Sequence, residues 1–197
     1  MEKRQQQQIE FANKEEALIF VEKKGIESKN VREYKLNEVI PFSSRVPGIY
    51  GYVFSNMFPC KLIWKDVEFN SVEQVFHYSC YKENSEMQTK IVNCKNGYEV
   101  KAVCKGQHRD ADFNEKKFEI LKSCIRLKFD QCEQFRTLLM LTGNIPLVEW
   151  APWGDVEYGT CKYMKDGEEW LIGENATGRL MMQIRQEHKE AGAKASC

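Results

Sequence analysis

The sequence predicts a mainly α-helical domain with a few short β-strands. One observation is the spacing of Ser71 and Gln74, which is that of a capping box at a helix start. A second is the helical period of the apolar side chains between residues 118 and 129. The same period over residues 177–189 is the third. No window approaches a membrane span, and no internal repeat or long linker divides the chain.

Apolar periodicity and turn residues indicate the elements of the N-terminal half. Residues 10–24 have the pattern of an amphipathic helix that stops at the following glycine. We interpret it as a helix docked on the domain. Residues 31–39 are a candidate strand, and residues 41–51 form a loop of the kind that borders active sites. Residues 61–69 predict a short hairpin, which leads into a helix over residues 71–82.

The second half of the chain predicts mostly helices, bounded by capping residues or by glycines. The expected elements are helices over residues 85–94, 98–105, 112–129, 131–141 and 177–189, and an extended stretch over residues 146–150. Asp112 and Glu115 have the spacing of a second capping box. Residues 151–170, rich in Trp, Tyr, Gly and acidic residues, are predicted to be a loop.

Composition limits the classes of function. The chain has 29 basic and 29 acidic residues among 197, which is not the strongly basic balance of a dedicated duplex-binding protein. The N-terminus is charged and glutamine-rich rather than a signal peptide, and residues 1–8 are expected to be disordered. The eight cysteines contain no CxxC pair, so we expect reduced thiols in a cytoplasmic protein.

Four segments, taken in sequence order, carry a resemblance to a known family. They are Phe54-Ser55-Asn56-Met57-Phe58-Pro59 with Ser71-Val72-Glu73-Gln74-Val75-Phe76, Ala102-Val103-Cys104-Lys105-Gly106, Asp155-Val156-Glu157-Tyr158-Gly159, and the stretch from Gly173 to Arg185. In these segments the chain resembles the NADAR family, named for NAD and ADP-ribose. The resemblance implies a compact YbiA-like helical domain over residues 39–190. Residues 1–38 would be an N-terminal extension with one helix, and residues 191–197 a tail.

The resemblance also implies N-glycosidase chemistry, which hydrolyses the bond between a ribose and a nitrogen base. The implied substrate is ADP-ribose on a base such as guanine in nucleic acid. Phosphorylated ribosylaminopyrimidine intermediates of riboflavin synthesis are an alternative, and a non-catalytic ADP-ribose-binding module is another. No cofactor, no metal and no membrane are expected, and the sequence points to no stable protein partner.

Cleavage of an N-glycosidic bond needs an anion near the ribosyl cation and a group that activates water, roles that two carboxylates can divide. The matched motifs assign them to Glu73 and Asp155. Glu73 would activate water or stabilise the cation, and Asp155 would orient the ribose hydroxyls or share the acid–base role. The structural alternatives are a capping role for Glu73 and a turn role for Asp155 after Gly154.

Other residues in or beside the matched motifs are candidates for substrate binding. They are Phe54, Ser55, Asn56, His77, Phe113, Trp153, Tyr158, Gly159 and Asn175. Asn56 would read a base or a ribose, and the rings of Trp153 and Tyr158 would stack on a base. Asn175 would help present backbone amides to a pyrophosphate, and His77 would orient the catalytic carboxylate or touch substrate. The alternative for each is an ordinary packing, turn or capping role.

Three positions depart from the family pattern. Phe113 and Tyr158 stand where the family usually has Trp, and Gln107 stands where a basic residue usually follows the glycine. These departures bear on substrate preference and on the phosphate contact. Both catalytic carboxylates are in place.

Overall fold

A computed structural model describes residues 8–195, so the expected disorder of residues 1–7 lies outside the described range. Within this range the chain forms eight α-helices and eight short β-strands. The helices are α1 (Lys14–Lys23), α2 (Ile49–Phe54), α3 (Val72–Ser79), α4 (Ser85–Val92), α5 (Gly97–Cys104), α6 (Phe113–Gln131), α7 (Glu133–Leu141) and α8 (Ala176–Ala195). The strands are β1 (Glu10–Phe11), β2 (Arg32–Lys35), β3 (Ile40–Phe42), β4 (Leu62–Trp64), β5 (Val67–Phe69), β6 (Leu147–Glu149), β7 (Cys161–Lys165) and β8 (Glu168–Gly173).

The strands form three small sheets. The largest has the order β1–β7–β8–β2, with β1 parallel to β7 and the other neighbours antiparallel. β4 and β5 form the expected hairpin, and β3 pairs in parallel with β6. The register of this last pair places Phe42 opposite Glu149, at the end of β6. No helix in the described part of the chain has an apolar stretch long enough to cross a membrane.

The N-terminal segment contributes strands as well as the expected helix. The prediction that the helix starts at residue 10 is wrong, because the first residues of that stretch pair with β7 as β1. α1 starts later, where the Asn13 side chain accepts a hydrogen bond from the Glu16 N–H. Ala17 and Val21 of α1 pack with Tyr163 in a second hydrophobic cluster. α1 is thereby packed on the four-stranded sheet, whose edge strands are β1 and β2.

α3 starts at Ser71, as the sequence predicts, but without the reciprocal half of the capping box. The Ser71 hydroxyl accepts a hydrogen bond from the Gln74 N–H. The Gln74 side chain does not return to Ser71. It accepts a hydrogen bond from the Asn70 N–H and donates to the carbonyls of Ile91 and Cys94, at the end of α4. Gln74 therefore fixes α3 against α4.

The start of α6 corrects a second capping prediction. Asp112 makes no side-chain hydrogen bond to the helix amides. Its carboxylate instead forms ion pairs with Lys82, at 2.6 Å, and with Lys116, at 2.7 Å. These two charged partners hold the carboxylate away from the helix end.

The prediction that residues 151–170 form a loop is wrong for the second half of this segment. It contains β7 and the first part of β8, which form a hairpin. The connection runs through Asp166 and Gly167, at φ 52° and 78°. An Asp-Gly pair between alternating side chains is a strong hairpin signal, since both residues tolerate positive φ.

A buried lysine lies inside the main core. Lys128 of α6 is completely buried, with the rings of Phe58 and Phe135 near its ammonium group. Its Nζ donates hydrogen bonds to the carbonyls of Val53, at 2.7 Å, and Ser55, at 2.9 Å. The ammonium therefore satisfies carbonyls at the C-terminal end of α2, where a positive charge is favourable.

Candidate active site

A cavity of about 150 Å³ lies between α3, α5 and the loop that follows β6. It is lined by Asn56, Glu73, Phe76, His77, Lys101, Arg109, Leu121, Glu149, Trp153, Asp155 and Tyr158. A larger cleft of about 740 Å³ adjoins this inner cavity, and His77, Lys101 and Arg109 border both. Glu73 and Asp155, the two carboxylates singled out in the sequence, thus line the same cavity.

Glu73 occupies the first turn of α3 and is anchored at both ends. Its N–H donates to the Asn56 carbonyl at 2.9 Å. Its Oε1 lies 3.2 Å from His77 Nε2 and 3.5 Å from Lys101 Nζ. Burial raises the pKa of Glu73, but the hydrogen bond with His77 and the charge of Lys101 bring the pKa below its ordinary value. Glu73 is therefore an anion at neutral pH. The alternative role of Glu73 as a helix cap does not apply, because the Ser71 side chain caps α3.

His77 forms an ion pair with the Glu73 carboxylate. Burial lowers the pKa of its imidazole, while the neighbouring Cys104 thiol and the Glu73 carboxylate raise it, to a net value of about 9. Its side chain is only 7% exposed, so the ion pair with Glu73 is shielded from solvent. At neutral pH His77 is protonated and holds Glu73 in its ionised form.

Glu149, at the end of β6, is not among the residues expected from the sequence. Its Oε2 is buried and has no hydrogen-bond partner among the described residues. Burial, reinforced by the negative charges of Asp155 and Glu73, raises the pKa of Glu149 to about 8. The carboxyl group is therefore protonated at neutral pH. The sequence does contain a signal for Glu149. It is a charged residue at the end of an apolar strand, directly before the acidic and aromatic loop.

Asp155 combines the turn role with a place in the cavity. Its Oδ1 accepts a hydrogen bond from the Tyr158 N–H at 3.2 Å, which closes the turn after Gly154. Burial raises the pKa of Asp155, and the hydrogen bond with the Tyr158 N–H and the charge of Lys101 offset only part of the rise. Three carboxyl groups in one small cavity thus have different proton affinities, with Glu73 the strongest acid relative to its ordinary value.

Lys101 of α5 is a second site residue that the sequence analysis does not single out. Its side chain is half exposed to the outer cleft, while its Nζ faces Glu73. Burial lowers the pKa of Lys101, and the charges of Glu73, Glu149 and Asp155 raise it to a net value above its ordinary one. The side chain remains a cation and balances part of the negative charge. It directly precedes Ala102 of the matched motif.

Aromatic rings close one wall of the cavity. The Phe76 ring lies 6.0 Å from the Tyr158 ring and 6.1 Å from the Phe113 ring, both in edge contacts. Phe113 faces the outer cleft, where the Arg109 guanidinium stands 4.4 Å from its centroid. Asn56 also lines the cavity, and its Oδ1 is buried and has no hydrogen-bond partner within residues 8–195. This amide oxygen is available to a donor inside the cavity.

Four residues expected to bind substrate line neither the inner cavity nor the outer cleft. Phe54 is fully buried and packs against Phe42 and Phe135, while the Ser55 hydroxyl accepts a hydrogen bond from the Met57 N–H. A side chain at Gly159 would meet the Glu149 carbonyl at 2.7 Å. These positions therefore stabilise the cavity walls rather than line them.

Asn175 is the fourth of these residues and supports Glu149 from behind. The side chain is completely buried, and its Oδ1 accepts a hydrogen bond from the Glu149 N–H. Its Nδ2 donates to the Leu147 carbonyl and to the Tyr34 hydroxyl. The amide is thus committed to the protein and does not face the cavity.

The outer cleft is rich in basic side chains. Its lining includes Lys101, Lys105, His108 and Arg109, against one carboxylate, Asp110. Gln107, which replaces the expected basic residue, lines the same cleft. Arg109 lies two positions further along and reaches both the cleft and the inner cavity. The positive charge that Gln107 lacks is therefore supplied nearby.

A family model described as the NADAR domain matches residues 44–189. The chain belongs to the NADAR family. The NMR structure of the E. coli protein YbiA is similar, with a TM-score of 0.63 and 18% sequence identity over 79% of this chain and 89% of that chain. This similarity shows a shared fold. No curated protein matches the chain.

Membership in the NADAR family supports a glycosidase-type function. The matched range includes α2 to α8 except the last residues of α8, and it contains every residue that lines the inner cavity. α1 and the strands β1, β2 and β3 lie before the matched range. The cavity therefore belongs to the part of the chain that the family shares.

Proposed function

We propose that this NADAR protein is an N-glycosidase that hydrolyses the bond between a nitrogen base and a ribose, most specifically that of ADP-ribose on a base such as guanine in nucleic acid. The observation that carries the proposal is the opposite displacement of two carboxyl pKa values in one cavity. The pKa of Glu73 is lowered, and that of Glu149 is raised to about 8. Such a pair supplies a base and an acid at the same pH.

The two carboxyl groups would divide the reaction. As the C–N bond breaks, Glu149 donates its proton to the departing base, and the Glu73 carboxylate stabilises the positive charge that develops on the ribose. A water molecule then adds to the ribose carbon and transfers a proton to Glu73. Return of that proton to Glu149 restores the starting state. His77 and Lys101 hold Glu73 ionised before the reaction begins.

Charge and size favour one orientation of the substrate. The inner cavity of about 150 Å³ is of the order of a sugar, and the negative charge of Glu73 disfavours a phosphate there. The outer cleft of about 740 Å³ is within the usual range of ligand sites and is mostly basic. The ribose would therefore lie inside with its phosphates in the cleft. Asn56 Oδ1 and Asp155 would accept hydrogen bonds from the ribose hydroxyls.

Two alternatives to this function are a different substrate and a protein that binds without catalysis. Phosphorylated ribosylaminopyrimidines carry the same ribose and phosphate, so they suit the same orientation. A pure ADP-ribose-binding module is less well supported. Binding alone has no need of two carboxyl groups whose pKa values are displaced in opposite directions, as those of Glu73 and Glu149 are.

The test is the substitution Glu73→Gln, which preserves shape and removes the negative charge. We expect turnover to fall by about 10²–10⁴-fold with the fold intact, because the anion beside the ribose is lost. Release of ADP-ribose from an ADP-ribosylated guanine oligonucleotide, followed by liquid chromatography, measures it. The ribosylaminopyrimidine phosphate is assayed in parallel.

The control is Glu83→Gln, an exposed glutamate that follows α3 and lies outside both the cavity and the cleft. It should retain wild-type turnover. If Glu73→Gln hydrolyses the substrate as fast as the wild type, Glu73 is not the catalytic carboxylate. Binding of ADP-ribose without turnover on either substrate would support the binding module instead.

A further inference from the structure

We propose that Cys104 is a redox-sensitive thiol, placed beside His77 and Arg109 in the outer cleft, that hydroperoxides convert to a sulfenic acid. Cys104 is the last residue of α5 and lines the outer cleft together with His77 and Arg109. Its side chain is only 7% exposed, so a reagent reaches it through the cleft rather than from the open surface. The thiol has no part in the glycosidase steps described above.

Two buried polar groups without partners lie beside this thiol. Within the described residues, His77 Nδ1 and the Tyr81 hydroxyl have no hydrogen-bond partner. Both residues are buried, since His77 is 6% exposed and Tyr81 is not exposed at all. The Cys104 thiol lies close to both groups but forms no hydrogen bond with either of these atoms. An oxygen added to the sulfur would supply a hydrogen-bond partner to them. A site with unsatisfied polar atoms around a thiol is suited to a polar, oxidised sulfur.

Most other cysteines lie in less reactive surroundings. Burial raises the thiol pKa of five of them, which keeps them in the unreactive protonated form: Cys60, Cys80, Cys94, Cys124 and Cys161. Reactive cysteines lie in electropositive surroundings that a reagent can reach. Cys104 has the protonated His77 beside it and Arg109 in the same cleft.

The oxidation step is balanced by the peroxide itself. The sulfur attacks one peroxide oxygen, forming an S–O bond as the O–O bond breaks. The sulfur loses two electrons, the peroxide gains them, and the departing hydroxide takes the thiol proton to become water. The positive charges of His77 and Arg109 favour the negative charge that develops on the departing oxygen. The product is a sulfenic acid, which a low-molecular-weight thiol returns to the free thiol through a mixed disulfide.

Oxidation of Cys104 would also affect the inner cavity. His77 contacts the Cys104 thiol on one side and Glu73 Oε1, at 3.2 Å, on the other. A sulfenic acid would draw the imidazole proton toward itself and weaken the support of Glu73. The added group would also narrow the cleft. This loss of turnover rests on the proposed function, whereas the reactivity of the thiol does not.

The experiment treats the full chain with hydrogen peroxide and traps sulfenic acid with dimedone, and mass spectrometry then locates the label. We expect Cys104 to be labelled at least about tenfold faster than Cys132, a cysteine that is more exposed. The substitution His77→Asn should slow labelling of Cys104 and leave labelling of Cys132 unchanged. Equal or faster labelling of Cys132, or no effect of His77→Asn, would overturn the proposal. Circular dichroism of each variant checks that it is folded.

A second measurement separates this proposal from the proposed function. Peroxide should abolish N-glycosidase turnover of the wild type, reversibly with dithiothreitol, and should not affect the remaining turnover of Cys104→Ser. Selective labelling of Cys104 in a protein without turnover on any substrate would reject the proposed function and retain the reactive thiol. Turnover by a protein in which Cys104 is not labelled would retain the proposed function and reject the reactive thiol.

Discussion

The side-chain oxygen of Asn175 accepts a hydrogen bond of 3.0 Å from the main-chain N–H of Glu149. The same amide donates to the Leu147 carbonyl at 2.9 Å, so one side chain at the start of α8 satisfies two backbone groups of β6. Asn175 adopts φ 52°, a left-handed conformation that asparagine tolerates better than most residues. The proposed acid is therefore positioned by a residue that does not line the cavity.

Asn175→Ala should destabilise the protein by about 2–5 kcal/mol, since it leaves two buried backbone groups unpaired and keeps an unfavourable φ. Urea unfolding measures the change. Asn93→Ala, at an exposed position that ends α4, is the matched control and should change stability by less than about 0.5 kcal/mol. A similar small effect for both variants would show that the Asn175 hydrogen bonds do not hold β6.

Glu149→Gln should lower turnover by about 10²–10⁴-fold, because an amide cannot donate the acidic proton. The wild-type pH profile should fall as pH rises through about 8, where Glu149 loses that proton. In the variant, turnover should be low and without this falling limb. The pH dependence of kcat/KM between pH 6 and 10 is the measurement. A wild-type profile that stays level through pH 9 would contradict the assignment of Glu149.

Glu149→Gln should also stabilise the folded state, independently of activity. The pKa of Glu149 rises from 4.5 to about 8 on folding, so between these values the folded protein holds a proton that the unfolded chain releases. Wild-type stability therefore falls as pH rises across this window, and the variant lacks this loss. The advantage of the variant should grow from pH 4.5 to 8 and then level off. Glu83→Gln should show no such trend in parallel urea titrations.

His77→Gln should remove a stabilising ion pair at low and neutral pH. The pKa of His77 rises from 6.5 to about 9 on folding, so its stabilisation is complete below pH 6.5 and is lost as pH passes 9. The pKa of Glu73 is lowered on folding, so its share is lost only as the solution becomes acidic. The difference in unfolding free energy between wild type and variant should be largest near pH 6 and shrink by pH 9.5. His108→Gln, at an exposed position, is the control, and an equal loss at every pH would exclude the charged pair.

Lys128→Met should change the pH dependence of stability in the opposite sense. Burial lowers the pKa of Lys128 to about 8 from 10.5, so between these values the unfolded chain binds the extra proton. Wild-type stability therefore gains relative to the variant as pH rises from 8 to 10.5. Thermal unfolding at several pH values measures the trend. Lys90→Met, on the exposed face of α4, provides the comparison, and a parallel shift in both variants would exclude a buried charge at Lys128.

Local signals were sufficient for most elements of the fold. Ser71 marks the start of α3, the hairpin of β4 and β5 follows from its alternating pattern, and helical periodicity locates α6 and α8. Local signals failed where an alternative partner was stronger. β1 pairs with β7, and Asp112 binds two lysines, so neither follows the helical or capping pattern of its neighbours. β7 and Lys82 are distant in sequence, so no local pattern contains them, whereas Lys116 is a local partner that competes with the cap.

By itself, the sequence determined the helical segments, the family resemblance and the two motif carboxylates, because capping, periodicity and motifs depend on nearby residues. Only the tertiary structure decided which groups share the cavity with Glu73. Glu149 and Lys101 become site residues because β6 and α5 bring them to α3, and Phe54 and Asn175 become supports because they point away. The proton affinity of each carboxyl group depends on burial and on charges from other segments, and both arise only when the chain is folded.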